Sequence, residues 1–397
     1  MTGHVLVLNA GSSSLKYSLV DAATGRTRGD GQVERIGEAQ GAQWHTGPGE
    51  ELRREVGVDD HHHALRLALA AFEERGPALA DVDLVAVGHR VVHGGSLFTD
   101  SVLVDDEVVE GLRGLVPLAP LHNPANIEGI EVARRMLPGV PHVAVFDTAF
   151  HATLPRHAHT YAVPYAWAEE HGVRRYGFHG TSVAFVVRQA AQVLGRTPEE
   201  TNLVVLHLGN GASATAVSAG RSVETSMGMT PLEGLVMGTR SGDVDPALHG
   251  HLHRTAGWSL EEIDRLLNRE SGLQGLLGDN DVREMVRRRE DGDERASLAF
   301  DVYCHRIRKY VGAYYAVLGR VDAVVFTGGV GENSAPVRHA VLEGLGELGI
   351  ELDAVRNTAP ETGPRPVSDP ASRVAVLVVP TDEEWEIARE AVRVGLG

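Results

Sequence analysis

Hydrophobic and polar positions change period repeatedly along this chain. Val5 to Leu8 is a short unbroken apolar run, the pattern of a strand buried on both faces. After the glycine-serine turn Gly11-Ser-Ser-Ser14, the stretch Leu15 to Val20 alternates like a second strand, so the two predict a hairpin. The pattern returns in Val205-Leu-His-Leu-Gly-Asn-Gly211-Ala-Ser-Ala-Thr-Ala-Val-Ser218. There Val5/Val205, Leu8/Leu208, Gly11/Gly211, Ser13/Ser213 and Ser18/Ser218 agree at one offset of 200. Val82-Asp-Leu-Val-Ala-Val87 resembles Val321-Asp-Ala-Val-Val-Phe326 at an offset of 239, so the second copy carries about 39 extra residues. An internal duplication follows, with the second half enlarged.

Helices are placed by their caps. Asn123-Pro124 opens one that stops at Leu137-Pro138-Gly139, and Ser334 with Pro336 opens another. Ser259 with Glu262, and Thr381 with Glu384, have capping-box spacing. The longest helix runs from about Asp293 to Leu318, with Leu298, Val302, Ile307, Val311 and Leu318 expected in the core. Strands alternating with helices, without a low-complexity tract, predict an α/β fold.

The 397 residues suffice for two domains. We expect a first domain of 1–148 plus 384–397 and a second, enlarged one of 149–383. A net charge of −17 repels polyanions, which argues against nucleic acid or an anionic membrane as partner. No stretch reads as a transmembrane segment, and Val5 to Leu8 is too short for a signal core. Cys304 is the only cysteine, which excludes an internal disulfide or a zinc-thiolate site and fits a reducing cytoplasm. Lys16 and Lys309 are the only lysines among 37 basic residues, so Lys16 marks a place where a compact ammonium is wanted.

Three glycine-rich turns each follow an apolar strand: Asn9 to Ser14, Gly209 to Gly211, and Gly328 to Asn333. Backbone N–H groups in such turns form concave anion sites. One turn alone would read as a plain hairpin. Two at duplicated positions predict a polyphosphate clamp, and the third, leading into the Ser334 helix, a support for a nucleoside. No Gly-Lys-Ser/Thr is present, so this is not a Walker loop. Arginines and histidines cluster in Gly88 to Gly95, Leu118 to Pro124, Val145 to His151, Tyr176 to Ser182 and Met237 to Asp243. Arg90 and Arg240 have the forked geometry that grips a carboxylate or phosphate. His61 to His63 begin a surface helix, His157 and His159 lie in a loop, and His249 and His253 have the i, i+4 spacing of a metal pair, but without thiolate partners or a His-Glu-x-x-His signature none of them reads as a metal ligand.

The strings NAGSSSLKYSLV, GHRVVHGG, PLHNPAN, VFDTAFH, GFHGTS, HLGNGAS, GTRSGDVDP, FTGGVGENS and PTDEEWEIA span the whole chain in this order. They closely resemble the acetate and propionate kinase family. That resemblance implies duplicated actin-like ATPase (ribonuclease H-like) domains with a cleft between them, and a homodimer. It also implies reversible, magnesium-dependent phosphoryl transfer between ATP and acetate, giving acetyl phosphate and ADP, with manganese as an alternative ion. Asn9 and Glu383 match the family's metal positions. Arg90 resembles the arginine that holds the acyl carboxylate, Arg240 and His179 the pair that stabilises the transferring phosphoryl group, and Asp147 the acid at the reaction centre. His122 resembles a residue lining the site, and Val92, Leu121, Phe178 and Pro231 the apolar pocket for the methyl group. Ser12, Ser14 and Lys16 fall in the first phosphate hairpin. His207, Leu208, Gly209, Asn210 and Gly211, then Asp281, Val282 and Arg283, and then Gly329, Val330, Gly331, Glu332 and Asn333 match nucleotide-contacting segments. One departure is Val183, where the family usually has a further histidine after GFHGTS.

Such chemistry is mostly in-line positioning and charge neutralisation. An acetate nucleophile is already ionised at pH 7, so Asp147 is expected to orient groups in preference to acting as general base. Two alternatives differ in kind: a propionate or butyrate kinase, and an actin-like ATPase working as a conformational switch. The arginine-histidine cluster argues against the switch, which needs no pocket for an anionic acceptor.

Overall fold

The structure, a computed structural model, describes residues 3–397. Contacts divide the chain into one unit of residues up to Ala152 with Asp382–Gly397, and another of Thr153–Thr381.

The first unit is built on eight strands: β1 (His4–Gly11), β2 (Ser14–Asp21), β3 (Thr27–Glu34), β4 (Gly41–Thr46), β5 (Leu52–Val56), β6 (Leu84–Val91), β7 (Val102–Leu103) and β8 (His142–Phe146). Their order is β5-β4-β3-β2-β1-β6-β8-β7, with β1, β6 and β8 parallel. Because β1 is apolar on both faces, the sheet buries two layers. Leu6 and Leu8 pack with the helix His61–Arg75 through Leu65, Ala68 and Phe72, and with Asn123–Met136 through Val132 and Ala133. Val5 and Val7 face the C-terminal helix Glu383–Gly395, through Ile387, Ala388 and Ala391. A β-carbon on Gly129 would stand 2.6 Å from that of Ala10, so glycine lets the Asn123–Met136 helix approach β1.

The second unit holds β9 (Asn202–Leu208), β10 (Ala212–Ser218), β11 (Arg221–Thr225), β12 (Ala323–Thr327), β13 (Arg365–Pro366) and β14 (Ala375–Val378), in the order β11-β10-β9-β12-β14-β13. Here β9, β12 and β14 run parallel. The run β3-β2-β1-β6-β8 therefore recurs as β11-β10-β9-β12-β14, the duplicated α/β arrangement expected from the paired strings. The enlargement lies between β11 and β12, where a series of helices ends in the long helix Glu294–Leu318. No helix among the described residues is long and apolar enough to cross a membrane.

Four local expectations are corrected. The segment Gly328–Asn333 is a short helix, not a turn. Its carbonyls are absorbed by the Asn333 side chain on Gly329 and by the buried Arg338 guanidinium on Gly331 and Glu332, which offsets the poor helix propensity of glycine. The cap of the last helix is Asp382, whose carboxylate accepts from Trp385 N, because the Thr381 hydroxyl is engaged with Ser182 at 2.7 Å. Leu298 is 59% exposed, since the stripe facing the sheet runs through Ala299, Phe300, Tyr303, Cys304, Ile307, Val311 and Tyr314. His61 is buried, its Nε2 lying 2.8 Å from the Gly11 carbonyl of the first hairpin. Val183 is wholly buried in the helix Gly180–Val193, where an apolar side chain packs without a polar debt.

Candidate active site

Each unit gathers its polar groups at the carboxyl ends of its parallel strands, the usual ligand edge of such sheets. In the first unit Asn9 lies near the end of β1, Arg90 near the end of β6, and Asp147 directly after β8. Asp147 is buried, and its carboxylate accepts from Arg90 Nε at 3.1 and 3.2 Å and from NH2 at 2.7 Å. Glu383, the first residue of the C-terminal helix, lies 3.7 Å from Arg90 NH1. The Asp147 charge raises the Arg90 pKa further above its ordinary value, so this guanidinium is permanently charged. A cavity of about 150 Å³ brings together Asn9, Lys16, Ser18, Arg90, Glu383 and Glu384. Burial pushes the Glu384 carboxyl above the usual carboxylate range. Ser12 and Ser14 close the two-residue β1–β2 hairpin and do not line that cavity.

Asn126 had no assigned role, although it belongs to the PLHNPAN string. It is buried, donates to the Ala10 carbonyl at 2.7 Å, and accepts from Val92 N at 3.1 Å. It thereby ties the ends of β1 and β6 together. His122 precedes the helix Asn123–Met136, and Leu121 beside it is 52% exposed. Val92 and Leu121 belong to the first unit, and Phe178 and Pro231 to the second.

In the second unit His179 has left-handed backbone, φ 60°, at the start of the helix Gly180–Val193. Its Nδ1 lies 2.9 Å from Ser213 Oγ, and its ring stacks on His207 with centroids 4.1 Å apart. His207 Nδ1 lies in turn 2.8 Å from Ser182 Oγ. A β-carbon on Gly211 would stand 3.4 Å from His179 Nε2 and 3.7 Å from Arg240 NH1, so both side chains converge over the Gly209–Gly211 turn. Arg240 NH1 donates to the Pro231 carbonyl at 2.9 Å. Burial lowers the Arg240 pKa from its ordinary value, and no carboxylate contributes to the shift.

Beside this turn a cavity of about 730 Å³ is lined by Gly209, Asn210, Asp281, Val282, Arg283, Gly329, Val330 and Asn333, so three separate sequence segments meet there. Gly238, Asn280, Val286, Ser334 and Pro336 also line it, without having been assigned. Their chemistry divides: Val282, Val286, Val330 and Pro336 offer an apolar wall, and glycine and asparagine a polar edge. Leu208 is core, Gly331 is buried with its carbonyl on Arg338, and Glu332 lines a neighbouring cavity and accepts from Thr381 N at 3.2 Å.

Comparison with known proteins gives the same reading over the full length. A profile described as the Acetokinase family matches residues 4–389. An acetate kinase of Streptomyces griseus is 58% identical over 390 residues, covering 97% of this chain and 95% of that protein. The crystal structure of Porphyromonas gingivalis acetate kinase superposes with a TM-score of 0.94 at 43% identity, covering 99% of both chains. A propionate kinase from Francisella tularensis superposes with a TM-score of 0.93 at 40% identity, covering 99% of this chain and 100% of that one.

Proposed function

This chain belongs to the acetokinase family and is an acetate kinase, a transferase acting on ATP and acetate, and we infer from that premise that the phosphoryl group passes directly, in line, from ATP to the acetate oxygen. The observation that carries this reading is Arg240, a desolvated guanidinium with no acid contributing to its pKa, held beside His179 over a glycine turn. A half-buried cation with no acid in contact is only partly compensated. It is suited to receive the charge that spreads over three equatorial oxygens as the phosphoryl group moves.

The nucleotide takes the 730 Å³ cavity, its base against Val282, Val286, Val330 and Pro336 and its phosphates toward Gly209 to Gly211. Acetate takes the Arg90 edge formed by NH1 and NH2, beside Glu383 at 3.7 Å from NH1, since the Nε edge is committed to Asp147. Asp147 thus fixes the orientation of Arg90 and has no proton to remove, because acetate arrives ionised. Val92, Leu121, Phe178 and Pro231 supply the apolar contacts for the methyl group.

Asn9 and Glu383 are hard oxygen donors on one small cavity, which suits magnesium, or manganese, with its remaining positions filled by water and phosphate oxygens. Bound there, the ion neutralises charge on the phosphate oxygens. We further infer a homodimer, supported by the half-exposed aromatic side chains of Tyr165 and Trp167, and a cytoplasmic location, supported by a single buried cysteine. Direct transfer is tested with ATP made chiral at the γ-phosphorus. Inversion in the acetyl phosphate is the expected outcome, and retention would establish a phosphoenzyme instead.

A further inference from the structure

The segment that carries Arg240 is pinched at its two ends. Gly234 N donates to Asp243 Oδ1 at 2.8 Å, and Asp243 N donates to the Gly234 carbonyl at 3.0 Å. Both ends are then fastened to the long helix Glu294–Leu318. Arg306 donates to the Gly234 carbonyl at 2.9 Å and to the Asp243 carbonyl at 3.2 Å, and lies 3.4 Å from Asp243 Oδ2. Tyr310, four residues on and on the same helix face, donates its hydroxyl to Asp243 Oδ2 at 2.9 Å. That helix packs on β9 and β10, so the pinch is referred to the body of the second unit.

An arginine usually takes its position from a carboxylate partner, as Arg90 does from Asp147. No carboxylate contributes to the Arg240 pKa, and its side-chain bonds run to Pro231 O and Met237 Sδ within its own loop region. Its placement is therefore set by the backbone that carries it. We propose that Asp243 is a positioning residue for the phosphoryl transfer: by closing segment 234–243 onto Arg306 and Tyr310 it holds Arg240 where the transferring group passes. This rests on the role given to Arg240 above. The middle of the segment has its own backbone anchors, Gly238 N on Asn210 O and Leu273 N on Met237 O. Met237 N on Arg240 O, Ser271 N on Thr239 O and Ser241 N on Leu267 O flank Arg240 as well, so loss of the pinch loosens the segment and shifts the Arg240 side chain without unfolding the loop.

The test is a double-mutant cycle in kcat, with both KM values and the thermal midpoint measured for every variant. Asp243→Ala is expected to lower kcat on the order of 10²-fold, the effect of about 1 Å of misplacement, while the acetate KM stays near wild type. Asp243→Asn, which keeps the acceptor for Gly234 N, recovers most of that loss. In an Arg240→Ala background, Asp243→Ala costs little more, because the group it positions is gone. Unchanged kcat in Asp243→Ala, or losses that simply multiply in the double variant, would overturn the proposal. Should Asp243→Ala fail to fold, Tyr310→Phe, which removes the helix contact to Asp243 Oδ2, carries the same cycle against Arg240→Ala with the same expected and contrary outcomes. Wild-type kcat in Arg240→Ala alone would overturn the role of Arg240 itself.

Discussion

Arg90 and Asp147 are joined along one edge of the guanidinium, Nε reaching both carboxylate oxygens and NH2 reaching Oδ2 at 2.7 Å. The pair leaves NH1, which faces Glu383 at 3.7 Å, and the second hydrogen of NH2 to meet an incoming carboxylate, and it sets a guanidinium against the buried Asp147 carboxylate. Arg90→Ala should therefore do two things. It raises the acetate KM, since a clamp binds ground and transition states alike. It also destabilises the fold, by up to about 3–5 kcal/mol, because the buried Asp147 carboxylate loses its guanidinium. Saturating acetate should raise the melting temperature of the wild type but not of this variant, whereas ATP should raise both. Stabilisation by acetate in Arg90→Ala would show that acetate binds elsewhere.

Arg240 has the opposite profile. With no acid contributing to its pKa, its removal strands no charge, so Arg240→Ala should keep a near-native melting temperature. Its kcat should fall on the order of 10²–10⁴-fold. Steady-state kinetics and calorimetry on one preparation check both halves. A fallen melting temperature with modest kinetic loss would mark Arg240 as a structural residue.

These two arginines show where sequence reading stops. Both were legible as forks in glycine-rich strings, but nothing local tells that Arg90 meets Asp147, 57 positions away, while Arg240 meets no such acid. Elements governed by near neighbours were readable. The Val5–Leu8 strand follows from its own apolar run, and the Ser259–Glu262 capping box forms with both of its bonds. Elements governed by distant partners were not. The Gly328–Asn333 helix depends on the buried Arg338, and the last helix begins one residue later than read because Ser182, 199 positions away, engages Thr381.

Magnesium dependence should respond to Asn9 and Glu383. Both line the small first-unit cavity, and an ion held partly by water and phosphate oxygens loses affinity with each protein donor removed. Asn9→Ala and Glu383→Ala should each shift the magnesium titration of the reaction to higher concentration. Glu383→Gln, which keeps an oxygen donor but loses the charge, should fall between wild type and Glu383→Ala. An unmoved titration in all three would place the ion elsewhere.

Stability should depend on a buried histidine pair behind Arg90. His142 Nε2 lies 3.0 Å from the Leu137 carbonyl and so donates to it, which leaves His142 Nδ1 to accept from His89 Nε2 at 2.9 Å. Burial first, then the neighbouring ring and Arg134, lowers the His89 pKa; burial first, and Arg134, lowers that of His142. Both rings are therefore neutral in the fold, whereas the unfolded chain protonates them near pH 6.5. Their contribution is complete above that value and is lost as pH falls through it, by up to about 1.4 kcal/mol per pH unit for each ring. Melting temperature should decline from about pH 7 to about pH 5, and the decline should flatten in His89→Gln. Identical slopes would mean that these rings do not set the acid limit.

Acyl-phosphate formation is the most direct measurement of the central claim. The protein is incubated with ATP, magnesium and, in turn, acetate, propionate and butyrate, with hydroxylamine present to trap acyl phosphate as hydroxamate while ADP is followed in parallel. Acetate should give hydroxamate in step with ADP, with smaller yields as the acyl chain lengthens, and no ADP should accumulate without a carboxylate. ADP release indifferent to every carboxylate, with no hydroxamate, would contradict phosphoryl transfer to acetate and leave an ATPase in its place.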